Sequence, residues 1–284
     1  MTYYISGDTI TTEISTIQFF PKEYFNTYIS KFTKNNNLIY SIKNNKNLIY
    51  SIKKKKISPL IFITKIEYLN NFYNKILKSL NTKFVLITHY GDRQAGLHNK
   101  ILNHPLLIKW YGQNMSIISD KTLPIPIGLE NKYWKRTNIH TIKQHSSNSK
   151  IKLLYLNFST STNPNRPKIM KKFLKRGFTK NEKLDWDNYI EDLSRHKFCI
   201  SPKGNGVDCH RTWECLYLGV IPIVEKSIHM SYFHDLPILF VDNYNEISIE
   251  YLNQTYLDFK NKSFNMDKLS LSYWNKKIRE HTYL

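Results

Sequence analysis

The sequence predicts an α/β protein of two domains, each built on a parallel sheet. Two stretches alternate apolar strand patterns with helical spacing, one starting near residue 60 and the other near residue 152. A polar, serine-rich stretch at 141–150 separates them and is typical of a linker. The length of 284 residues suits two domains. We therefore assign 1–140 to an N-terminal domain, 151–265 to a C-terminal domain and 266–284 to a closing helix.

The first domain contains a tandem repeat of seven residues. Asn-Leu-Ile-Tyr-Ser-Ile-Lys occurs at 37–43 and again at 47–53, and Lys54, Lys55 and Lys56 follow the second copy. Because asparagine and lysine separate the copies, we interpret 36–56 as a low-complexity insertion or surface loop. A β-hairpin is the alternative, since each copy has the composition of a short strand.

Regular strands and helices are predicted after the repeat. Apolar runs at 60–64 and 84–88 predict buried strands, and the stretch 66–80 places its apolar residues at helical spacing. We expect another helix around 98–111. The second domain repeats this alternation, with strands predicted at 152–158, 198–201 and 238–241 and helices at 166–177, 186–196, 246–261 and 266–281.

Charge and composition leave two classes of function open. Lys and Arg number 42 against 22 Asp and Glu, giving a net charge of +20, which is typical of proteins that bind nucleic acid. A general bias toward lysine accounts for the charge equally well. The sequence has no run of about 18 apolar residues and no basic-then-apolar leader, so we expect no membrane span and a cytoplasmic location. Cys199, Cys209 and Cys215 lack zinc spacing and predict free thiols, and we expect no metal.

The segment 197–224 predicts a strand, a glycine loop, a helix and a second strand. Gly204 and Gly206 remove side-chain bulk where a pyrophosphate would approach the backbone, and Asp208 is a suitable N-cap for the helix. The start of that helix favours an anion. Three of the nine glycines lie between 204 and 219, in a chain that has few.

Two charged residues share one face of this predicted helix. Arg211 offers a planar fork for phosphate oxygens, and Glu214, three residues later, can accept hydrogen bonds from both hydroxyls of a ribose. His210 can donate to a phosphate. The alternative is a helix cap with an Arg–Glu surface pair worth about 0–1 kcal/mol.

The segment Ser201-Pro-Lys-Gly-Asn-Gly-Val-Asp-Cys-His-Arg-Thr-Trp-Glu214, with Gly219-Val-Ile-Pro-Ile-Val224, resembles the donor-binding signature of exostosin-like glycosyltransferases. Weaker similarity to the same group runs through 88–92, 104–128 and 156–166. The resemblance implies a GT-B-like fold, with two Rossmann-like α/β domains facing across a cleft. By the same analogy, the N-terminal domain is expected on the acceptor side, and the helix in 266–284 is expected to cross back to it. It also implies an inverting, metal-independent transfer from a nucleotide sugar, expected to be a UDP-sugar, to a hydroxyl of a glycan, protein or small molecule.

The expected site residues follow from this resemblance. The donor-binding set is Ser201, Gly204, Asn205, Gly206, Asp208, His210, Arg211, Glu214, Arg166 and Asn157. For Arg166, which opens a helix, simple solvation is as good an interpretation as phosphate contact. The general base is expected at the end of strand 84–88, where His89 and Asp92 stand. Alternatively, Asp92 caps a turn and His89 is structural.

Two other functions compete with transfer. A basic, aromatic-rich surface would suit a nucleic-acid-binding protein, although we regard nucleic acid as the weaker expectation. A catalytically inactive homologue would keep the 204–214 loop and bind nucleotide sugars without turnover. We expect no cofactor beyond the nucleotide-sugar substrate.

Overall fold

The computed structural model describes residues 4–20, 38–41, 50, 60–131 and 139–282. The chain divides into two compact units. Unit 1 comprises Met1–Ile127, Asn131–Tyr133 and Ser270–Leu284, and unit 2 comprises Gly128–Glu130 and Trp134–Leu269. Both contain parallel sheets with helices, which confirms the predicted α/β class.

Unit 1 contains a six-stranded sheet in the order β2-β1-β3-β4-β5-β6, with every neighbouring pair parallel. Its strands are β1 (Ile17–Phe20), β2 (Leu38–Ser41), β3 (Ile61–Thr64), β4 (Phe84–Thr88), β5 (Leu107–Gly112) and β6 (Thr122–Pro124). β2 lies in the first copy of the repeat and pairs with β1, so this part of 36–56 is a strand of the sheet. Apart from Tyr50, the second copy lies outside the described residues.

The helices described in unit 1 are α1 (Gly7–Thr9), α2 (Leu69–Lys75), α3 (Asn99–Leu102) and, near the C-terminus, α10 (Leu271–Arg279). The stretch predicted as one helix at 66–80 is divided, because short 3₁₀ turns at Ile66–Tyr68 and Leu77–Ser79 flank α2. α10 is held to the sheet of its unit by Tyr111, whose Oη donates to the Lys277 carbonyl at 3.1 Å.

The helix predicted at 98–111 is wrong beyond its first turn. α3 ends at Leu102, and Leu107–Gly112 forms β5 instead. Pro105 has no N–H for a helix and disfavours helical geometry at His104. Leu107, Trp110 and Tyr111 are buried at a spacing that is typical of a helix, but parallel pairing with β4 and β6 makes the segment a strand.

Aromatic side chains build the core of unit 1. The ring of Phe72 on α2 lies 5.5 Å from that of Phe19, 5.0 Å from that of Phe62 and 6.2 Å from that of Phe84. These fully buried rings meet at steep angles, the geometry that favours edge-to-face contacts. The cluster fixes α2 on the sheet, so the strand ends have a rigid support.

Unit 2 contains a four-stranded parallel sheet in the order β10-β9-β8-β7. Its strands are β7 (Lys152–Tyr155), β8 (His196–Ile200), β9 (Ile221–Glu225) and β10 (Leu239–Val241). Its helices are α4 (Ile139–His145), α5 (Arg166–Lys175), α6 (Trp186–Ser194), α7 (His210–Tyr217), α8 (Ile228–Ser231) and α9 (Ile249–Lys260).

The stretch predicted as a linker at 141–150 begins inside a helix. α4 buries Thr141 and Ile142, and Thr141 Oγ1 donates to the Asp187 carboxylate at 2.6 Å. The serine and asparagine residues that suggested a linker come after this helix, at 146–149. In the described part of the chain, no helix has the length and apolar character needed to cross a membrane.

Candidate functional site

A pocket of about 830 Å³ lies in unit 2, at the ends of several elements. It is bordered by residues following β7, by the first residue of α5, by the start of α6 and by α7. Sixteen residues line it: Glu130, Tyr155, Asn157, Phe158, Ser159, Thr160, Arg166, Lys180, Lys183, Leu184, Asp185, Trp186, Tyr189, His210, Arg211 and Glu214. Half of the predicted donor-binding residues are among them.

Glu214 on α7 places a carboxylate at the pocket. The residue is only 7% exposed, and its Oε2 accepts a hydrogen bond from the Tyr189 hydroxyl at 2.7 Å. Among the described residues, its second oxygen has no hydrogen-bond partner. Since Glu214 lines the pocket, that oxygen can accept a hydrogen bond from a hydroxyl-bearing ligand.

Tyr189 on α6 links Glu214 to Arg211. Arg211 Nε donates to the Tyr189 hydroxyl at 3.4 Å, and its guanidinium carbon lies 5.8 Å from the centre of the tyrosine ring. Burial, and then the nearby Glu214 charge, raise the pKa of Tyr189 well above its usual value, so the phenol keeps its proton. It therefore donates to Glu214 while accepting from Arg211.

Arg211 remains a cation in this setting. Burial acts to lower the pKa of its guanidinium, but its interactions with Tyr189 and Glu214 outweigh burial and raise the pKa. The tyrosine hydroxyl occupies only Nε in the described structure, so the planar terminal nitrogens keep their capacity for an anion. Arg211 and Glu214 therefore lie together at the pocket, as the sequence predicts.

Arg166, the first residue of α5, is used mainly by the chain itself. Its Nε donates to the Lys203 carbonyl at 3.1 Å, Nη1 to the Ser159 carbonyl at 3.0 Å and Nη2 to the Pro202 carbonyl at 2.6 Å. Burial lowers the pKa of this guanidinium. Arg166 borders the pocket, but its geometry is that of a residue that fixes the glycine loop.

The glycine loop supports Arg166 more than it approaches a ligand. A Cβ atom on Gly204 would lie 3.1 Å from Arg166 Nη2, so the glycine makes room for the guanidinium. The Gly204 N–H donates to the Gly206 carbonyl at 3.0 Å. Neither glycine lines the pocket, nor does the exposed Asn205 between them. The expected contact between these residues and a donor is therefore not built into the described pocket.

Ser201 and Asp208 serve the internal packing of the unit. Ser201 Oγ lies 2.9 Å from Thr212 Oγ1 and is buried. The prediction of Asp208 as an N-cap is wrong, because Cys209 occupies that position. The Asp208 carboxylate instead accepts from Trp213 Nε1 at 2.7 Å and from His229 Nε2 at 3.0 Å. These two hydrogen bonds connect α7 to α8. Asp208 does not line the pocket.

Two further predicted residues border the pocket through bonds to the backbone. Asn157 donates from Nδ2 to the Glu182 carbonyl at 2.7 Å, which holds the segment after β7 near the segment before α6. His210 at the start of α7 places Nδ1 2.8 Å from the carbonyl oxygen of Gly128. Gly128 has a φ of 69°, the left-handed region that favours glycine.

The candidate base residues lie in unit 1, after β4. His89 is 2% exposed; its Nδ1 accepts the Tyr90 N–H at 2.9 Å, and its Nε2 lies 3.1 Å from the Pro126 carbonyl. Because the only lone pair of the ring is already used, the geometry gives His89 a structural role and disfavours it as a base. Asp92 is exposed and keeps its carboxylate accessible.

Sequence reasoning missed Tyr189, the residue that orients Glu214. The chain has 20 tyrosines, so residue type alone gave no signal. It also passed over Lys180 and Lys183, which border the pocket.

Comparison with protein-family models finds no match to this chain. Comparison with curated proteins likewise finds none. Within the residues that the structure describes, no group of three or more His, Cys, Asp and Glu side chains is arranged to hold a metal ion.

Proposed function

We propose that this protein is a GT-B-type glycosyltransferase that moves a sugar from a nucleoside diphosphate sugar to a hydroxyl acceptor. The observation that carries the proposal is Glu214, a buried carboxylate with one oxygen held by Tyr189 and the other available at the pocket, beside the Arg211 cation. The resemblance of 201–224 to the exostosin-like donor signature supports the same reading. Uridine diphosphate is the expected nucleotide.

In this proposal the pocket divides the donor between two charges. Glu214 accepts from the ribose hydroxyls, and Arg211 donates to the diphosphate. The volume of about 830 Å³ lies within the range of about 300–1,000 Å³ that small-molecule sites occupy. Lys180 and Lys183 at the rim add positive charge that an anionic donor would favour.

The proposed reaction is an inverting displacement. The acceptor oxygen forms a bond to the anomeric carbon while the bond from that carbon to the diphosphate oxygen breaks, and its electron pair leaves with the nucleoside diphosphate. Arg211 stabilises the charge that develops on this leaving group, a role that needs no metal ion. The acceptor proton goes to a general base, for which Asp92 remains the candidate because its carboxylate is exposed.

A thermal-shift panel of nucleotides and nucleotide sugars, with and without EDTA, tests the proposal. At a ligand concentration 100 times its Kd, binding adds about 2.7 kcal/mol, and we expect a UDP-sugar to raise the melting temperature by about 5–10 °C. Glu214→Gln should abolish most of this shift. Glu191→Gln is the matched control, since Glu191 lies on α6 of the same unit and makes only an exposed ion pair with Arg195.

Two results would contradict the proposal. If no nucleotide changes the melting temperature while single-stranded nucleic acid binds with steep salt dependence, the protein belongs to the nucleic-acid-binding class. If a nucleotide sugar binds but no acceptor among glycans, peptides and small alcohols is ever glycosylated, the chain is an inactive binding homologue.

A further inference from the structure

His210 holds a fixed tautomer at the pocket. Its Nδ1 lies 2.8 Å from the Gly128 carbonyl oxygen, and a carbonyl oxygen only accepts hydrogen bonds. Nδ1 therefore carries a hydrogen whether the ring is neutral or protonated. Since a neutral imidazole has a single N–H, Nε2 of the neutral ring is left with a lone pair.

This assignment decides what Nε2 can bind. Within the described residues, no side chain or backbone group shares a hydrogen bond with Nε2. Oxygens of a diphosphate diester have no hydrogens at neutral pH and only accept, so the neutral ring presents a lone pair to a lone pair. Only the imidazolium form of His210 can donate from Nε2 to such an anion.

The other charged residues that line the pocket have a small net charge, to which a proton on His210 adds. The cations that line it are Arg166, Lys180, Lys183 and Arg211, and the carboxylates are Glu130, Asp185 and Glu214. Tyr155 and Tyr189 also line it, and burial raises the pKa of both phenols, so they stay neutral. The lining therefore carries a charge of +1 with neutral His210 and +2 with its imidazolium.

Groups outside the pocket do not compete for the same proton. Asp208, two residues before His210, is bound by Trp213 and His229. Burial raises the pKa of the adjacent Cys209 thiol, which stays neutral. The diphosphate bridge of a nucleotide sugar carries two negative charges, and it matches the pocket lining when His210 is protonated.

We propose that binding of the nucleotide sugar is coupled to uptake of one proton by His210, whose Nε2–H then donates to the diphosphate. The inference rests on the proposed function, because it requires that this donor binds in the pocket of unit 2. Its consequence is that the protein holds the donor more tightly at low pH. Where the free ring is neutral and the bound ring is protonated, the affinity falls by up to about tenfold for each unit that the pH rises.

Isothermal titration calorimetry with a UDP-sugar tests this coupling. The intact nucleotide sugar is the appropriate probe, because free UDP has a terminal phosphate that titrates near pH 6 and would add its own proton. Binding is measured from pH 6 to 8.5 in two buffers with different ionisation enthalpies. The difference in heat between the buffers gives the number of protons taken up.

The variants separate a titrating donor from a fixed one. His210→Gln places an amide N–H near the position of Nε2 without needing a proton, so its affinity should be independent of pH and its proton uptake near zero. The wild type should take up a proton on binding and lose affinity as the pH rises from 6 to 8.5, by at most about tenfold for each pH unit. His234→Gln, an exposed histidine of the same unit, should behave as the wild type.

Three outcomes would overturn the inference. Donor binding that is flat with pH, without proton uptake, rejects the coupling but leaves the proposed function intact. If His210→Gln binds the donor normally with unchanged pH dependence yet loses turnover, His210 accepts the proton of the attacking hydroxyl instead. An absence of donor binding at every pH removes the proposed function together with the inference.

Discussion

The polar groups near the end of β4 in unit 1 and those on α7 in unit 2 differ in how many of their hydrogen bonds are made within the chain. After β4 in unit 1, the polar groups bond to one another and to the backbone: Thr88 accepts from Trp110 Nε1 at 2.9 Å, and His89 uses both ring nitrogens. In unit 2, Glu214 and His210 each make one bond to their own chain and keep a second polar atom unpartnered among the described residues. Both sheets are parallel, so a parallel sheet edge alone does not make a site; unused hydrogen-bonding capacity does.

The largest effect should separate the two arginines of unit 2. Arg166→Met removes the donors of three backbone carbonyls, and leaving buried acceptors unsatisfied should lower the free energy of unfolding by about 3 kcal/mol or more. Arg211→Met removes a cation that makes a single hydrogen bond to the chain, so the unfolding free energy should change by less than about 1 kcal/mol. Its UDP-sugar affinity should instead fall about 100-fold.

Urea unfolding and calorimetry on both variants check this separation. Because the two substitutions are chemically identical and both residues border the pocket, each variant is the control for the other. A stability loss in Arg211→Met as large as that in Arg166→Met would remove the contrast and would make Arg211 a structural residue as well.

The next effect compares the two candidate residues of unit 1. Asp92→Asn removes an exposed carboxylate and should leave stability within about 0.5 kcal/mol, while a lost general base should lower turnover about 100-fold or more. His89→Leu should lower the unfolding free energy by about 2 kcal/mol, because it leaves the Tyr90 N–H and the Pro126 carbonyl without their partner.

Turnover with saturating donor and acceptor, measured beside urea unfolding, distinguishes the roles. Near-normal turnover in Asp92→Asn would remove Asp92 as the base. Unchanged stability in His89→Leu would show that its two hydrogen bonds do not support the end of β4, and the difference between the two units would weaken.

The sequence predicts the type of most elements because buried strands and amphipathic helices leave a period in the chain. The periodicity gives a wrong prediction where a buried strand has apolar residues at helical spacing. Leu107, Trp110 and Tyr111 fit one face of a helix, but β5 receives hydrogen bonds from strands that are distant in sequence. Pro105 was the local sign against a helix, and it carried more information than the apolar spacing.

Residue roles at the site are less predictable than elements, because a role depends on the partner. Gly204 and Arg166 both fit a phosphate site by type, yet they approach each other. Asp208 fits an N-cap by type, but Trp213 and His229 take its oxygens. The common location of Arg211 and Glu214 at the pocket was predictable, because their spacing on one helix fixes a shared face.

The smallest effect concerns the hydroxyl of Tyr189. Removing it tests whether its hydrogen bond is needed to orient the Glu214 carboxylate. Tyr189→Phe keeps the ring beside Arg211 but removes the donor to Glu214 Oε2, so Glu214 is less fixed in the orientation proposed for binding ribose. We expect UDP-sugar affinity to fall about five- to tenfold, which corresponds to the net worth of a typical hydrogen bond, about 1 kcal/mol. Because the pKa of Tyr189 is raised well above its usual value, the phenol stays protonated and the loss should be constant from pH 6 to 9.

Calorimetry measures this loss of affinity, with Tyr251→Phe on α9 as the control for a lost hydroxyl outside the pocket lining. Equal affinity in wild type and Tyr189→Phe would mean that α7 alone orients Glu214, and unit 2 would then resemble unit 1 in drawing its polar geometry from the helix and strand framework.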